Sequence, residues 1–151
     1  MFTKSAAYYD AIYAALKDYR NEARSVAELL AQARPGSRRV LDVACGTGEH
    51  ARYLNRAHGF DVDGIDLDPA LLRIARGKHP RGSYWHADMV DFDLGRRYDA
   101  VISLFSAIAY TGTLPRLRQT LACFRRHLVA DGVVLIEPFL RPEDVRVDKQ
   151  S

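Results

Sequence analysis

The sequence RVLDVACGTG at residues 39–48 joins a short, β-branched apolar run to a glycine-rich turn. The run at 39–44 predicts a buried β-strand, because branched apolar side chains pack well on a pleated sheet. Gly46 and Gly48 let the backbone turn sharply and approach a ligand that any Cβ would exclude. A helix is expected from the turn to about residue 57. This order of strand, turn and helix is typical of an α/β domain.

The alternation of strands and helices continues along the chain. Further strands are expected at 61–66, 82–86, 98–104 and 132–137, and helices at 69–76 and 117–128. Amphipathic helical patterns at 6–17 and 21–33 precede the first strand. Right-handed crossovers between such strands produce a mostly parallel, twisted sheet with helices on both faces. We expect one domain, with a helical cover at 1–38, a core at 39–140 and a polar tail at 141–151.

Composition excludes several classes of protein. Of the 151 residues 48% are hydrophobic and 27% are charged, which is a globular balance. No apolar run reaches the roughly 18 residues of a membrane span, and the N-terminus lacks a signal-peptide core. Only two cysteines are present, and the +3 net charge comes from scattered basic residues. We therefore expect a cytoplasmic protein with neither nucleic acid nor membrane as a partner.

Acidic residues at the strand ends are the first candidates for ligand binding, because ligands of open α/β sheets bind at the carboxyl ends of the strands. Asp66 ends the second predicted strand about 20 residues beyond the glycine turn, where a carboxylate can accept both hydroxyls of a ribose. The alternative is a helix-capping role, which suits Asp68 better because Pro69 follows it directly. Up to this point, a nicotinamide cofactor and a methyl donor remain equally possible.

Two other carboxylates favour the methyl donor. Asp42 lies within the apolar first strand, and a buried carboxylate is costly without a partner. S-Adenosylmethionine carries an ammonium and a sulfonium that need negative charge nearby, whereas a nicotinamide site has no evident use for Asp42. Asp88 could accept from the adenine amino group while Met89 supplies an apolar contact. The alternative for Asp88 is an acid that caps a loop.

The sequence at 40–48, together with Gly64-Ile65-Asp66-Leu67 and Ala87-Asp88-Met89, resembles class I S-adenosylmethionine-dependent methyltransferases. A closer resemblance, from about residue 9 to 142, is to the N,N-dimethyltransferases of aminodeoxysugars. It rests on Phe105-Ser106-Ala107-Ile108-Ala109-Tyr110 and Glu137-Pro138, among other short matches. Those enzymes methylate the amino group of a nucleotide-linked deoxysugar in antibiotic biosynthesis. The resemblance implies a Rossmann-like core that binds S-adenosylmethionine, and N-methylation of a small-molecule substrate such as a sugar nucleotide.

The resemblance also implies a set of cofactor contacts. At the methionine part these are Asp42, Ala44, Gly46 and Gly48; at the ribose, Asp66 and Leu67; at the adenine, Asp88 and Met89; on the cavity floor, Leu104 and Ser106. Tyr9 and Tyr19 would close over the cofactor, or would simply pack a helix face.

Only one residue is a candidate for acting on the methyl acceptor. Tyr110 would orient the acceptor amine by a hydrogen bond rather than act as a base. His50 and His86 are expected to be ordinary structural residues, and Cys45 to be a small turn residue rather than a nucleophile. No cluster with metal-ligand spacing is present, so no metal is expected.

The sequence departs from its relatives at the C-terminus. Members of the family continue with an insertion that grips the sugar nucleotide and a closing hairpin, which this sequence lacks. The strand at 133–136 is then expected at a sheet edge. Either this edge pairs with a second chain in a homodimer, or the sequence is a fragment or a naturally shortened gene product. The alternatives to an active N-methyltransferase are a catalytically silent cofactor-binding domain and, less favoured by Asp42 and Asp88, a nicotinamide-dependent oxidoreductase.

Overall fold

The computed structural model describes residues 17–137 of the chain. The predicted helix at 6–17 therefore lies almost entirely outside the described residues, as do Tyr9 and the predicted tail at 141–151. In chain order the elements are α1 Tyr19–Ala33, β1 Arg39–Val43, α2 Glu49–His58, β2 Asp61–Asp66, α3 Pro69–Lys78, β3 Tyr84–His86, β4 Tyr98–Ser103, a 3₁₀ helix Ala107–Thr111, α4 Leu114–Arg126 and β5 Leu128–Ile136.

The five described strands form one parallel sheet in the order β3-β2-β1-β4-β5. The strand order reverses between β1 and β4, since the chain first adds β2 and β3 on one side and then crosses to the other. Asp42 lies at this point, in register with Gly64 of β2 and Ile102 of β4. The expected Rossmann-like fold is confirmed, and its switch point is where α/β proteins bind ligands.

Both faces of the sheet are covered, as expected. Alternate residues of β1 enter different clusters: Val40 packs with Leu30 of α1 and Leu54 of α2, whereas Leu41 packs with Phe124 of α4. Because side chains alternate across a strand, Asp42 lies on the same face as Val40, toward α1 and α2. The carboxylate of Asp42 is therefore enclosed by α1 and α2 rather than by α4.

Several predicted boundaries were wrong. Helix α4 begins at Leu114 rather than 117, because the Thr113 side chain accepts a hydrogen bond from the Arg116 N–H and caps the helix. Strand β5 begins at Leu128 rather than 132, since Leu128 pairs with Tyr98 across a shift in register. Strand β3 covers only Tyr84–His86, and the 3₁₀ helix was not predicted.

The edge position predicted for the last strand holds for the described part of the chain. There β5 pairs with β4 alone, and its residue Val134 is 41% exposed. Among residues 17–137, no helix has the length and apolar character needed to cross a membrane.

Candidate active site

A cavity of about 350 Å³ opens at the carboxyl ends of the strands, above the reversal in strand order. Its wall is built from the turn after β1, the ends of β2 and β3, the segment after β4 and the start of α1. Nine of the predicted site residues line it: Tyr19, Asp42, Ala44, Gly46, Asp66, Leu67, Met89, Leu104 and Tyr110. Gly48, Asp88 and Ser106 are not part of the wall.

The turn after β1 takes its shape from left-handed backbone conformations. Gly46 has φ 56° and Gly48 has φ 78°, and even Ala44 has φ 62°. A Cβ on Gly48 would lie 3.1 Å from the Ala75 Cβ and 3.4 Å from the Tyr84 hydroxyl. Gly48 therefore permits close packing of α2 against α3, and its contact with the methionine part of the cofactor stays a prediction.

Asp66 ties the glycine turn to the start of α3. Its Oδ2 accepts from the Gly46 N–H at 2.9 Å, and its Oδ1 accepts from the Asp68 N–H at 2.9 Å. Burial raises the pKa of Asp66, while these backbone N–H groups oppose the shift. An ionised carboxylate accepts about four hydrogen bonds, so Asp66 retains capacity for ligand hydroxyls. Asp68 caps α3 by accepting from Ala70 N–H, as predicted.

Asp42 is the most deeply buried acid of the cavity wall. It is 2% exposed, and its Oδ2 has no hydrogen-bond partner among the described residues. Burial raises the pKa of Asp42 to about 7, although His50 and Lys17 act in the opposite direction. A buried carboxylate without a partner is costly, so the arrangement favours a cationic ligand that would restore the missing interaction.

A charged cluster links α1 to the cavity wall and was missed by the sequence analysis. The Lys17 Nζ lies 3.2 Å from Glu22 Oε1 and 3.7 Å from the centroid of the Phe105 ring. Glu22 Oε2 lies 3.3 Å from His50 Nε2, and this contact, followed by Lys17, lowers the pKa of Glu22 against burial. The His50 ring also meets the Tyr19 ring edge-on at 4.9 Å. His50, expected to be an ordinary helix residue, thus belongs to the wall. The sequence did contain a signal for this role, because His50 lies just after the glycine turn.

Asp88 occupies a loop rather than the cavity wall. Its Oδ1 accepts from the Val90 N–H at 3.0 Å, and its Oδ2 lies 3.8 Å from an Arg116 guanidinium nitrogen. The loop-capping alternative therefore describes Asp88, and its neighbour Met89 contributes the lining at the end of β3. Asp88 itself does not line this cavity, and the adenine contact expected of it stays a prediction.

The segment after β4 is strained where it passes the cavity. Phe105 and Ser106 have φ values of 60° and 57°, which side-chain-bearing residues rarely adopt. The consequence is that Leu104 and Phe105 line the cavity and Ser106 does not. Tyr110, on the following 3₁₀ helix, lines the cavity while remaining 61% exposed, which places its hydroxyl end where an acceptor could reach it.

Comparison with known proteins decides between the cofactor classes left open by the sequence. Residues 40–132 match the family described as "Methyltransferase domain". The chain belongs to this methyltransferase family. Membership favours a methyl donor over the nicotinamide alternative, in agreement with the orphaned carboxylate of Asp42.

The chain is similar to enzymes that methylate aminosugars. It is 42% identical over 128 residues to dTDP-3-amino-3,6-dideoxy-alpha-D-glucopyranose N,N-dimethyltransferase of Streptomyces fradiae, covering 85% of this chain and 50% of the relative. An amino pentose methyltransferase of Micromonospora echinaspora, solved with S-adenosylmethionine bound, shares 40% identity and a TM-score of 0.83 over 89% of this chain and 57% of its own. Streptomyces venezuelae DesVI shares 38% identity and a TM-score of 0.86, over 94% and 60% respectively. The chain spans about half the length of the curated relatives it matches.

Proposed function

We propose that this methyltransferase binds S-adenosylmethionine and methylates the amino group of a nucleotide-linked deoxysugar. The observation that carries the proposal is the cavity at the switch point, walled by Asp66 and by Asp42, whose buried Oδ2 has no hydrogen-bond partner among the described residues. The substrate class is supported by the 38–42% identity to three dTDP-aminosugar N,N-dimethyltransferases.

The residues of the wall suit this cofactor. Asp42 offers a buried negative charge for the cationic methionine end, and Asp66 offers acceptor positions for the ribose hydroxyls. Leu67 contributes apolar surface beside the ribose, and Met89 and Leu104 contribute it for the adenine and the cavity floor. A nucleoside sulfonium requires a negative charge beside its cationic end and apolar surface against its adenine ring, and this wall offers both.

Catalysis by this chain is mainly a matter of position. When bound, S-adenosylmethionine supplies an electrophilic methyl group and a good leaving group, so no activated nucleophile of the protein is needed. The clamp between Asp66 and the Gly46 N–H holds the turn rigid on one side of the cavity. On the other side Tyr110 orients the acceptor amine through its hydroxyl, so that the lone pair faces the reacting carbon.

Two further features belong to this proposal. A second copy of the chain covers the edge of β5 in a homodimer, which is supported by the exposed Val134 and by the unpaired outer side of that strand in the described sheet. The protein works in the cytoplasm, which is supported by two buried cysteines that are both free thiols. Sedimentation of the wild type and of Val134→Lys tests the homodimer. We expect a dimeric wild type and a monomeric variant, and a monomeric wild type would refute the dimer.

The primary test is calorimetric titration of the 151-residue chain with S-adenosylmethionine, with NAD as control, followed by incubation with dTDP-3-amino-3,6-dideoxyglucose and mass analysis. We expect binding of the methyl donor alone and product that carries one or two added methyl groups. Asp42→Ala should abolish binding, whereas the matched variant Asp131→Ala, at an exposed position remote from the cavity, should bind normally. Binding without transfer to any aminosugar would support the silent cofactor-binding domain instead. Absence of binding would refute the proposal.

A further inference from the structure

A second cavity lies at the edge of the sheet opposite to the candidate active site. It measures about 210 Å³ and is lined by Arg39 and Asp61, which begin β1 and β2, and by Ser83 and Arg96, which precede β3 and β4. Because the strands are parallel, all these residues lie at their amino ends. The two cavities share no lining residue, so nothing in methyl transfer accounts for the second one.

The acidic residues of this cavity are already matched by basic or hydroxyl partners. Asp63 Oδ2 lies 3.3 Å from an Arg96 guanidinium nitrogen and accepts from the Tyr98 hydroxyl at 2.7 Å. Asp61 lies 4.0 Å from Arg38. The negative charge that lines the cavity is therefore balanced within its own surroundings and does not prepare the site for a cation.

Two arginines of the cavity have no such balance. Among residues 17–137 no salt bridge involves Arg39 or Arg81, and both are exposed. The Arg39 guanidinium carbon lies 5.6 Å from the centroid of the Tyr98 ring, a contact that leaves its N–H donors available. Two guanidinium groups that form no salt bridge with the described residues thus border one small cavity, although the charge of Arg39 also helps to lower the pKa of Asp99.

A buried histidine in the same wall has an unused ring nitrogen. His79 is 3% exposed, its Nδ1 lies 2.7 Å from the Tyr84 hydroxyl, and its Nε2 has no partner among the described residues. Burial lowers the pKa of His79, Asp63 opposes this shift, and the charges of Arg56 and Arg81 add to it. The Nε2 atom of this buried imidazole therefore lacks the hydrogen bond that buried polar groups normally make.

We propose that this cavity binds a phosphate-class anion, either a single phosphate or a diphosphate group, held by the guanidinium groups of Arg39 and Arg81. Guanidinium groups suit phosphate because their planar donors match two oxygens at once. Three arginines against two aspartates leave the lining with a net positive charge, and the two guanidinium groups outside salt bridges offer donors to several phosphate oxygens. The site lies at the amino ends of β1 and β2, the strands that carry Asp42 and Asp66, and its existence does not rest on the proposed methyl transfer.

The test is calorimetric titration of the 151-residue chain with pyrophosphate and, separately, with inorganic phosphate at constant ionic strength. We expect one saturable site, with affinity reduced at least about tenfold by Arg39→Gln and by Arg81→Gln, since each removes a charge-assisted interaction. The matched control is Arg118→Gln, an exposed arginine of α4 that does not line the cavity. The imidazole signals of His79 in nuclear magnetic resonance should shift on saturation in the wild type.

Each alternative result has a definite meaning. Absence of saturable binding by the wild type, or equal weakening by Arg118→Gln, would overturn the proposal in favour of general attraction to a basic surface. Loss of pyrophosphate binding in Lys17→Gln would place the anion in the candidate active site and would also overturn it. Pyrophosphate binding that survives in Asp42→Ala, where the methyl donor no longer binds, would separate this site from the proposed function.

Discussion

Asp66 accepts a hydrogen bond from the backbone N–H of Gly46 at 2.9 Å, which joins the end of β2 to the glycine turn after β1. The same carboxylate accepts from the Asp68 N–H at 2.9 Å, so one side chain sets the geometry of two neighbouring strand ends. The residue proposed to hold the ribose is therefore also a structural clamp. Substituting it must affect both stability and binding.

Asp66→Ala should lower the free energy of unfolding by about 1–3 kcal/mol, because it leaves two partly buried N–H groups without acceptors. It should also weaken binding of S-adenosylmethionine at least about tenfold, since ribose contacts are lost. Urea denaturation and calorimetric titration measure the two effects. Asp93→Ala is the matched control, because Asp93 caps only the exposed Gly95 N–H. Unchanged affinity in Asp66→Ala would contradict the ribose assignment.

Asp42 should make the protein less stable as pH rises. Its pKa in the folded state is about 7 instead of 3.8, so the native state binds this proton more tightly than the unfolded state does. The free energy of unfolding should therefore fall from about pH 4 to about pH 7 and then level off, by on the order of 4 kcal/mol. Asp42→Asn should lack this component, which denaturation of both proteins at several pH values would show. Parallel profiles would contradict the raised pKa.

Binding of S-adenosylmethionine should release protons near pH 7. A cationic ligand beside Asp42 favours the carboxylate, so the fraction still protonated, about half when pH equals pKa, is expelled on binding. Calorimetry in buffers of different ionisation enthalpy measures this number directly. The control is the same titration well above pH 7, where Asp42 is already ionised before the ligand binds and the release should vanish. A proton count that stays unchanged there would assign the release to another residue.

Glu22→Gln should destabilise the protein by roughly 1–3 kcal/mol, because it removes the carboxylate that faces both Lys17 and His50. The pKa of Glu22 is lowered, chiefly by His50, so its contribution is present above the unfolded pKa and is lost as pH falls through the folded one. Glu28→Gln, at an exposed position of the same helix, should change stability little. Equal effects of the two substitutions in urea denaturation would argue against the cluster.

Gly48→Ala should cost more than Gly59→Ala by about 1 kcal/mol or more. Both glycines have positive φ, 78° and 74°, so the backbone strain of the two substitutions is similar. Only at Gly48 would the new Cβ meet a neighbour, at 3.1 Å from the Ala75 Cβ; at Gly59 it would meet nothing within 4 Å. Thermal denaturation of the pair isolates the packing of α2 against α3. Equal losses would show that strain alone is at work.

The sequence by itself determined the order of the elements and the residues at the strand ends. Apolar periodicity and glycine turns depend on near neighbours in the chain, so β1, β2 and the turn at Gly46 were predictable, and with them the place of Asp42 and Asp66. The first residue of an element could not be predicted where it depends on a pairing partner far away in the chain. Strand β5 begins early because Leu128 meets Tyr98, which no local pattern records.

Only the tertiary structure decided which neighbouring residue faces the cavity. Left-handed conformations at Phe105 and Ser106 turn that segment so that Phe105 enters the wall, and a local cap keeps Asp88 out of it. Lys17 and His50 join the site through contacts between α1, α2 and the segment after β4. Such placements follow from side-chain packing between elements far apart in the chain, and that packing exists only once the sheet and its covering helices have assembled.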